Sequence, residues 1–263
     1  MIYTCFEMIR DCRDSRAEGW RYFVSTYVPV IHKLSRHYLP GKPVDDIAIG
    51  RVLTALHRPD SDLFQSLEPV PERYFVAHLR QNVLELLQPD VPAAAIDLET
   101  VAAALEPMTL VEKQAAWLET MLYPPAETAV LLRMAPPTVD KIRTRSAELV
   151  RGKADSWNNR MLAESGRALG RAAASAATPS CLAPKTFLDM LDGRSTWRHR
   201  EELEQHATSC WHCIDHFCRL VEVVELLRGN QPLSDAGAAP FWDLLAVSPP
   251  RQSAWKRWRS GRA

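Results

Sequence analysis

The chain has 263 residues, of which 46% are hydrophobic and 24% charged, the composition of a globular protein long enough for two modest domains. Its 32 Lys and Arg residues balance its 32 Asp and Glu residues. This balance excludes a globally basic nucleic-acid binder, so any contact with DNA must come from a local patch. Charges interrupt every apolar run short of about 18 residues, and no basic leader precedes an apolar stretch. We therefore expect a cytoplasmic protein without membrane contact.

Helical periodicity dominates the sequence. Apolar residues recur every three or four positions in 20–31 and again in 75–87, and no run of β-branched residues alternates with polar ones. The sequence predicts an all-α fold with two small helical domains and a C-terminal zinc-binding helical domain. Helix-breaking Pro and Gly residues and shifts in composition divide the chain into segments. These are a first domain at 1–90, a linker at 91–105, a second domain at 106–152, a linker or tether helix at 153–179, a Cys/His domain at 180–229 and a tail at 230–263.

The last domain carries a His-x3-Cys-x2-Cys pattern formed by His206, Cys210 and Cys213. On one helix these three residues would lie in a narrow stripe, because steps of four and three residues nearly complete a turn. Zinc prefers four tetrahedral N or S ligands, so one more ligand must come from elsewhere. Cys181, just before a predicted helix from Pro184 to Leu191, is the natural candidate. Four such ligands leave no open position, which argues against catalysis.

Other residues near the pattern compete for the same role. His212, His216 and Cys218 lie off the stripe, and His199 lies on its N-terminal side. Core thiols with surface histidines are the alternative interpretation of the whole cluster. A domain of about 50 residues has little core, however, and a structural zinc ion can contribute on the order of 10 kcal/mol to its folding.

The second domain predicts a helix-turn-helix. One helix ends near Met134 and a second begins around Pro136, since proline is tolerated in a first helical turn. The second helix should bury Val139, Ile142 and Leu149. The candidate DNA-binding residues are the turn residue and three outward-facing cations: Arg133, Lys141, Arg143 and Arg145. An αα-hairpin with a solvated basic face is the alternative.

The Cys/His segment resembles the zinc-binding anti-sigma domains, whose hallmark is a Cys, a spacer of about this length and His-x3-Cys-x2-Cys. The resemblance covers about 180–228 and assigns the zinc ligands by position to Cys181, His206, Cys210 and Cys213. It implies a small helical bundle that holds a sigma factor inactive. In some members, oxidation of the zinc thiolates releases the sigma factor.

The rest of the chain resembles an extracytoplasmic-function sigma factor with degenerate regions. Residues 105–152 resemble region 4. Two positions differ from that family: Arg133 replaces the usual Gly of the turn, and Ala135 stands where a capping Ser is expected. Residues 18–88 resemble region 2, although Ile49 and Gly50 stand where that family has Gln and Glu. The segment that should melt promoter DNA, 58–73, is acidic and rich in Pro.

These resemblances imply a transcription regulator in which a zinc domain restrains a sigma-like part. The implied partners are RNA polymerase core or another sigma factor, and promoter DNA. The alternative is a zinc-stabilised interaction module that does not bind DNA. A Gly-rich phosphate loop, a Gly-x-Ser-x-Gly elbow and a His-Glu-x-x-His helix are all absent, so we expect neither an enzyme nor a small-molecule substrate. The C-terminal stretch 255–259 is rich in Trp and Arg. It predicts either a solvated tail or a segment that binds nucleic acid or a membrane surface.

Overall fold

The computed structural model describes residues 3–39, 41, 45–65, 71–88, 96–151 and 159–247, with the backbone alone for 159–163. Within these ranges the chain is all-α and contains no strand, which confirms the predicted fold class. None of the described helices is both long and apolar enough to cross a membrane. In chain order the helices are α1 (Cys5–Arg13), α2 (Ala17–Tyr38), α3 (Asp46–Leu56), α4 (Glu72–Leu87), α5 (Leu98–Leu105), α6 (Leu110–Thr120), α7 (Pro125–Leu132), α8 (Pro136–Arg151), α9 (Asn159–Ser175), α10 (Pro184–Leu191), α11 (Trp197–Ser209), α12 (Trp211–Arg228) and α13 (Asp235–Leu244).

The chain forms two compact units that do not follow the predicted segments. The first combines Met1–Leu87 with Gly229–Ala263, and the second is Gln88–Arg228. The segments predicted separately as a linker, a helix-turn-helix, a tether and a Cys/His domain all belong to the second unit.

An aromatic cluster along α2 forms the core of the first unit. Trp20 and Phe23 have ring centroids 5.0 and 5.4 Å from that of Phe64, which lies on a 3-10 turn. One turn further along α2, Tyr27 lies 5.2 Å from Phe75 of α4. The helical spacing seen in the sequence therefore corresponds to a buried face, and each such aromatic pair adds about 1 kcal/mol to the effect of burial.

A proline inside α2 leaves one backbone carbonyl of that helix without its helical donor, and a segment near the C-terminus supplies a donor instead. Pro29 has no N–H to donate to the carbonyl of Ser25, its usual partner one turn earlier. The backbone N–H of Leu233 donates to that carbonyl at 2.7 Å. The side-chain amide of Asn230 donates to the next carbonyl, that of Thr26, also at 2.7 Å. Leu233 thus supplies the hydrogen bond that Pro29 cannot, and Asn230 adds a second bond on the next carbonyl.

We expect Asn230→Ala to lower the free energy of unfolding by about 1 kcal/mol, because the hydrogen bond from its side chain to the Thr26 carbonyl is lost. Urea denaturation measures the change. Gln81→Ala is the control, since the Gln81 amide reaches only the neighbouring, exposed Glu85, and it should cost no more than about 0.5 kcal/mol. Equal losses in the two variants would contradict this role of Asn230.

The predicted tail contains a helix that packs on the first unit. α13 lies against α2 and α3 and buries Phe241 and Trp242. A Cβ at Gly50 of α3 would lie 2.8 Å from a methyl group of Leu244, so this glycine permits the close approach. The Trp- and Arg-rich stretch 255–259 lies outside the described residues.

The second unit is built around α6, which packs against α7, α8, α9, α11 and α12. Every residue of α6 from Lys113 to Thr120 is buried. The predicted tether contributes α9, which packs on both α6 and α12. Its Ala- and Gly-rich sequence, which resembles that of a flexible tether, instead allows close helix contact.

Candidate metal centre

The four residues predicted to bind metal lie together in the second unit. One ligand atom from each of Cys181, His206, Cys210 and Cys213 lies within 4.8 Å of the other three. The Sγ atoms of Cys181 and Cys210 are 3.6 Å apart. Two thiolates on one tetrahedral zinc ion, each about 2.3 Å from it, would lie about 3.8 Å apart. The cluster can therefore hold one metal ion.

The prediction that three of these residues share one continuous helix was wrong. α11 ends at Ser209, Cys210 adopts an extended backbone (φ −108°, ψ 102°), and α12 begins at Trp211. The physical reason is axial rise: seven residues of unbroken helix would separate His206 from Cys213 by about 10 Å. The break brings the first turn of α12 back toward the end of α11, so that one ion can reach both residues.

Cys181 is held by a local turn and by the packing of α10. Its backbone N–H donates to the carbonyl of Thr178 at 2.9 Å, and the N–H of Thr178 points back at the Cys181 Sγ at 3.2 Å. Desolvation raises the pKa of the Cys181 thiol, but hydrogen bonds from the hydroxyl and backbone of Thr178 outweigh it and lower the pKa to about 6. Thr178 was not predicted from the sequence. Its signal is its place three residues before a Cys, where Thr commonly closes a turn.

Two of the other ligands present atoms that a metal ion could satisfy. The Nε2 atom of His206 is buried and has no hydrogen-bond partner among the described residues. Burial, followed by the neighbouring Cys210, raises the pKa of the Cys213 thiol to about 12. A metal ion would displace that proton and satisfy the histidine nitrogen, so the donor set fits a bound cation.

The competing residues serve other contacts in the structure. The Nδ1 of His212 donates to the carbonyls of Ala173 and Ala174, at 3.2 and 3.1 Å, and thereby caps the C-terminus of α9. Cys218 is fully buried and points its thiol at the carbonyl of Gln114. The remaining two residues also lie outside the cluster: His216 packs against Phe187, and His199 is exposed near the start of α11.

Hydrogen bonds connect the helices of the cluster directly to α6. Lys113 is buried and donates to the carbonyl of Thr208 at 2.7 Å, near the end of α11. The indole N–H of Trp117 donates to Asp215 of α12 at 3.0 Å, and Asp215 pairs with Arg219 at 2.5 Å. The metal site is thus continuous with the core of the second unit.

A second link joins α12 to the segment between α6 and α7. The hydroxyl of Tyr123 donates to Glu222 at 2.7 Å, and Glu222 is fully buried. The polar side chains of α12 that face α6 and α7 are therefore hydrogen-bonded, as burial requires. Any displacement of α12 would break bonds that also position the helix-turn-helix segment.

Two of the four predicted DNA-binding cations form internal ion pairs. Arg143 donates to Glu119 at 2.6 Å, and Glu119 is only 5% exposed. Arg145 donates to Glu112 at 2.7 Å. Lys141 is exposed and has no ion pair among the described residues. The neighbouring residue of α8, the acidic Asp140, is also exposed, so the surface of this helix carries both signs of charge.

The turn before α8 has an unusual backbone. α8 begins at Pro136, where the sequence predicts the second helix. Arg133, which stands where a Gly is usual, adopts the left-handed conformation (φ 54°, ψ 44°) as the C-cap of α7, and its side chain is exposed. Such a conformation costs a non-glycine residue about 1 kcal/mol. α8 buries Val139 and Ile142 as predicted, and Val150 more deeply than Leu149.

We expect Arg143→Ala to lower the free energy of unfolding by about 2 kcal/mol, because it leaves the buried Glu119 carboxylate unpaired. Burial already raises the pKa of Glu119 above its ordinary 4.5, although Arg143 opposes this. A group with a raised folded-state pKa destabilises the fold as pH rises through that pKa, so the loss in the variant should shrink from pH 8 to pH 5. Urea denaturation across this range measures it. Lys141→Ala is the matched control on the same helix and should change stability by less than about 0.5 kcal/mol at every pH.

Searches for similar proteins do not extend the interpretation of this site. No protein-family model matches the chain, and comparisons with curated proteins and with solved structures find no match either.

Proposed function

We propose that this chain is a zinc-stabilised regulator of transcription that acts by binding a protein partner, either RNA polymerase core or a sigma factor. The observation that carries the proposal is that two of the four cations in the predicted helix-turn-helix form ion pairs within the protein. Arg143 and Arg145 are bound to Glu119 and Glu112, so half of the cations expected to contact DNA already neutralise carboxylates of α6. A mixed-charge surface suits a protein partner better than a phosphate backbone.

The donor set supports zinc as the metal. Three thiolates and one imidazole at tetrahedral spacing favour zinc over the hard cations magnesium and calcium, which prefer oxygen ligands. Four protein ligands fill the coordination sphere, so the ion would have a structural role. Its effect would be to fix α11 and α12 together, and these two helices bond to α6 through Lys113 and through the Trp117–Asp215 pair respectively.

The resemblance of the Cys/His segment to zinc-binding anti-sigma domains supports a partner of the sigma-factor type. In this chain the zinc-binding helices pack on the segment that resembles sigma region 4, within one unit. The chain would therefore present both parts to its partner as a single surface. The region-4-like helix α8 packs on α6 and α7, and α12 packs on the same two helices.

The test uses the purified full-length chain and the purified polymerase core and sigma factors of its source. Metal analysis should give about one zinc ion per chain, and biolayer interferometry should detect a complex with one of these partners. Chelation followed by buffer exchange should abolish that complex, and restored zinc should rescue it. A zinc-free native protein, or a zinc-loaded protein that binds neither the core nor any sigma factor, would overturn the proposal.

Promoter DNA binding is the second candidate, favoured by two exposed cations of the α7–α8 segment, Arg133 at the end of α7 and Lys141 on α8. Two phosphate contacts predict a slope of about −1.8 in the logarithm of affinity against the logarithm of salt concentration. Lys141→Ala should then halve that slope. A salt-independent signal, or none at all, would leave the protein-binding proposal alone.

A further inference from the structure

A half-open apolar groove crosses the second unit on the side of α7 and α12. Its volume is about 450 Å³, and residues from α6, α7, α10, α11 and α12 line it. We call it the α7–α12 groove. The apolar residues that characterise it are Val111, Val130, Leu132, Met190, Phe217 and Val221.

Exposed hydrophobic side chains concentrate at this groove. Val130 is 61% exposed and Val111 is 46% exposed, and they are two of only six large hydrophobic residues exposed among the described residues. Exposed apolar side chains beside a concave surface with a polar rim are typical of an interaction site. The groove is therefore a candidate docking surface separate from the metal centre.

The spacing of the α12 residues that line the groove indicates that a helix would fit it. Phe217, Val221, Val224 and Arg228 line the groove at steps of four, three and four residues. This spacing follows one face of α12 over three turns, a length of about 16 Å. Phe217 and Val221 are only 8% and 5% exposed and form the floor of the groove, so a second helix would contact them through apolar side chains that enter the groove from every third or fourth position.

Charge at the rim indicates the polarity of the occupant. Three arginines and two glutamates line the groove, and Arg228 is already paired with Glu225 at 2.7 Å. Once this pair is set aside, the groove has two positive charges, on Arg133 and Arg200, and one negative charge, on Glu204. Both arginines are exposed and have no ion pair among the described residues. An acidic partner would neutralise this excess positive charge.

We infer that the α7–α12 groove binds an amphipathic helix of a protein partner, with an apolar face for α12 and acidic residues facing Arg133 and Arg200. The inference rests on the proposed function, since it specifies the surface through which the regulator would contact its partner. The chain's own C-terminal stretch 255–259 is a poor occupant, because it is basic and would meet the same arginines.

The experiment uses the zinc-loaded full-length protein and a labelled synthetic peptide of about 18 residues, long enough to form a helix. The peptide carries Leu at heptad spacing and Glu on both flanks. Fluorescence anisotropy should detect binding below about 0.1 mM, and a peptide with Lys in place of Glu should bind at least about tenfold more weakly. Val130→Glu and Arg200→Glu should each weaken binding of the acidic peptide by about tenfold or more. Ile47→Glu is the matched control, because Ile47 is 67% exposed but lies in the first unit.

Several outcomes would overturn the inference. These are no binding of the acidic peptide up to about 0.1 mM, equal binding of the basic peptide, and unchanged binding in Val130→Glu. Sedimentation velocity that shows a dimer, dissociated by Val130→Glu, would identify a second copy as the occupant instead.

The two proposals fail in distinguishable ways. Peptide binding in the groove without any complex with polymerase core or sigma factor would remove the proposed function and retain the groove. A complex with either partner that Val130→Glu leaves intact would retain the function and remove the groove.

Discussion

Cys213→Ser is expected to release the metal ion and to unfold the second unit. A structural zinc ion contributes on the order of 10 kcal/mol, which is comparable to the whole stability of a domain. The thiol of Cys213 is fully buried, so no water ligand can readily replace it. Metal analysis by mass spectrometry should find about one ion per wild-type chain and well under half of that in the variant.

Hydrogen exchange can localise the effect to helices that carry no ligand. α6 contains no residue of the cluster, but Lys113 and Trp117 join it to α11 and α12. We therefore expect the amides of α6 to lose at least about a hundredfold in protection in the variant, or about 3 kcal/mol. The amides of α2, in the first unit, serve as the internal reference.

Cys218→Ser is the matched control for this prediction. Cys218 lies five residues further along α12, is equally buried, and donates to the carbonyl of Gln114, a contact that a serine hydroxyl can retain. We expect this variant to keep its metal ion. Loss of metal in both variants would make the effect one of general misfolding, and retention in both would remove Cys213 from the ligand set.

Local signals in the sequence predicted several elements well. The helix Pro184–Leu191 and the start of α8 at Pro136 have the predicted bounds, because proline at a first helical position is a strong local signal. The four residues of the metal cluster also come together as predicted. Here the spacing of Cys and His residues, together with a short connection to Cys181, carried enough information.

Long-range contacts were beyond the reach of such signals. The partner of Arg143 is Glu119, on another helix and 24 residues away, so the spacing within α8 could not show that this cation is occupied. Nothing local to Pro29 indicates that Leu233 would donate to the carbonyl of Ser25, more than 200 residues away. The helix break at Cys210 has a different origin. Helical periodicity describes only the angle between side chains around the axis, and it does not show that the rise along the axis would separate His206 from Cys213.

Gly166→Ala should lower the free energy of unfolding of the second unit by about 3 kcal/mol or more, because α9 crosses α6 at that residue. A Cβ at Gly166 would overlap the carbonyl oxygen of Thr120 and would lie 2.8 Å from its carbonyl carbon. Both are backbone atoms of a buried segment, so neither can rotate away as a side chain would. α9 must move off α6, and the contacts of both helices are weakened. Urea denaturation with circular dichroism measures the loss.

Gly170→Ala, one turn later on the same helix, should have the opposite sign. Its Cβ would meet only the carboxylate oxygen of Asp215, at 3.9 Å, which is an ordinary contact. Alanine also favours the helical conformation over glycine by up to about 1 kcal/mol, so this variant should be as stable as the wild type or more so. The carbonyl of residue 170 would still accept from Arg219. Two equal losses would show that α9 does not tolerate side chains in general, whereas opposite signs would establish a specific contact at Gly166 and make α9 a structural part of the unit that contains the candidate metal site.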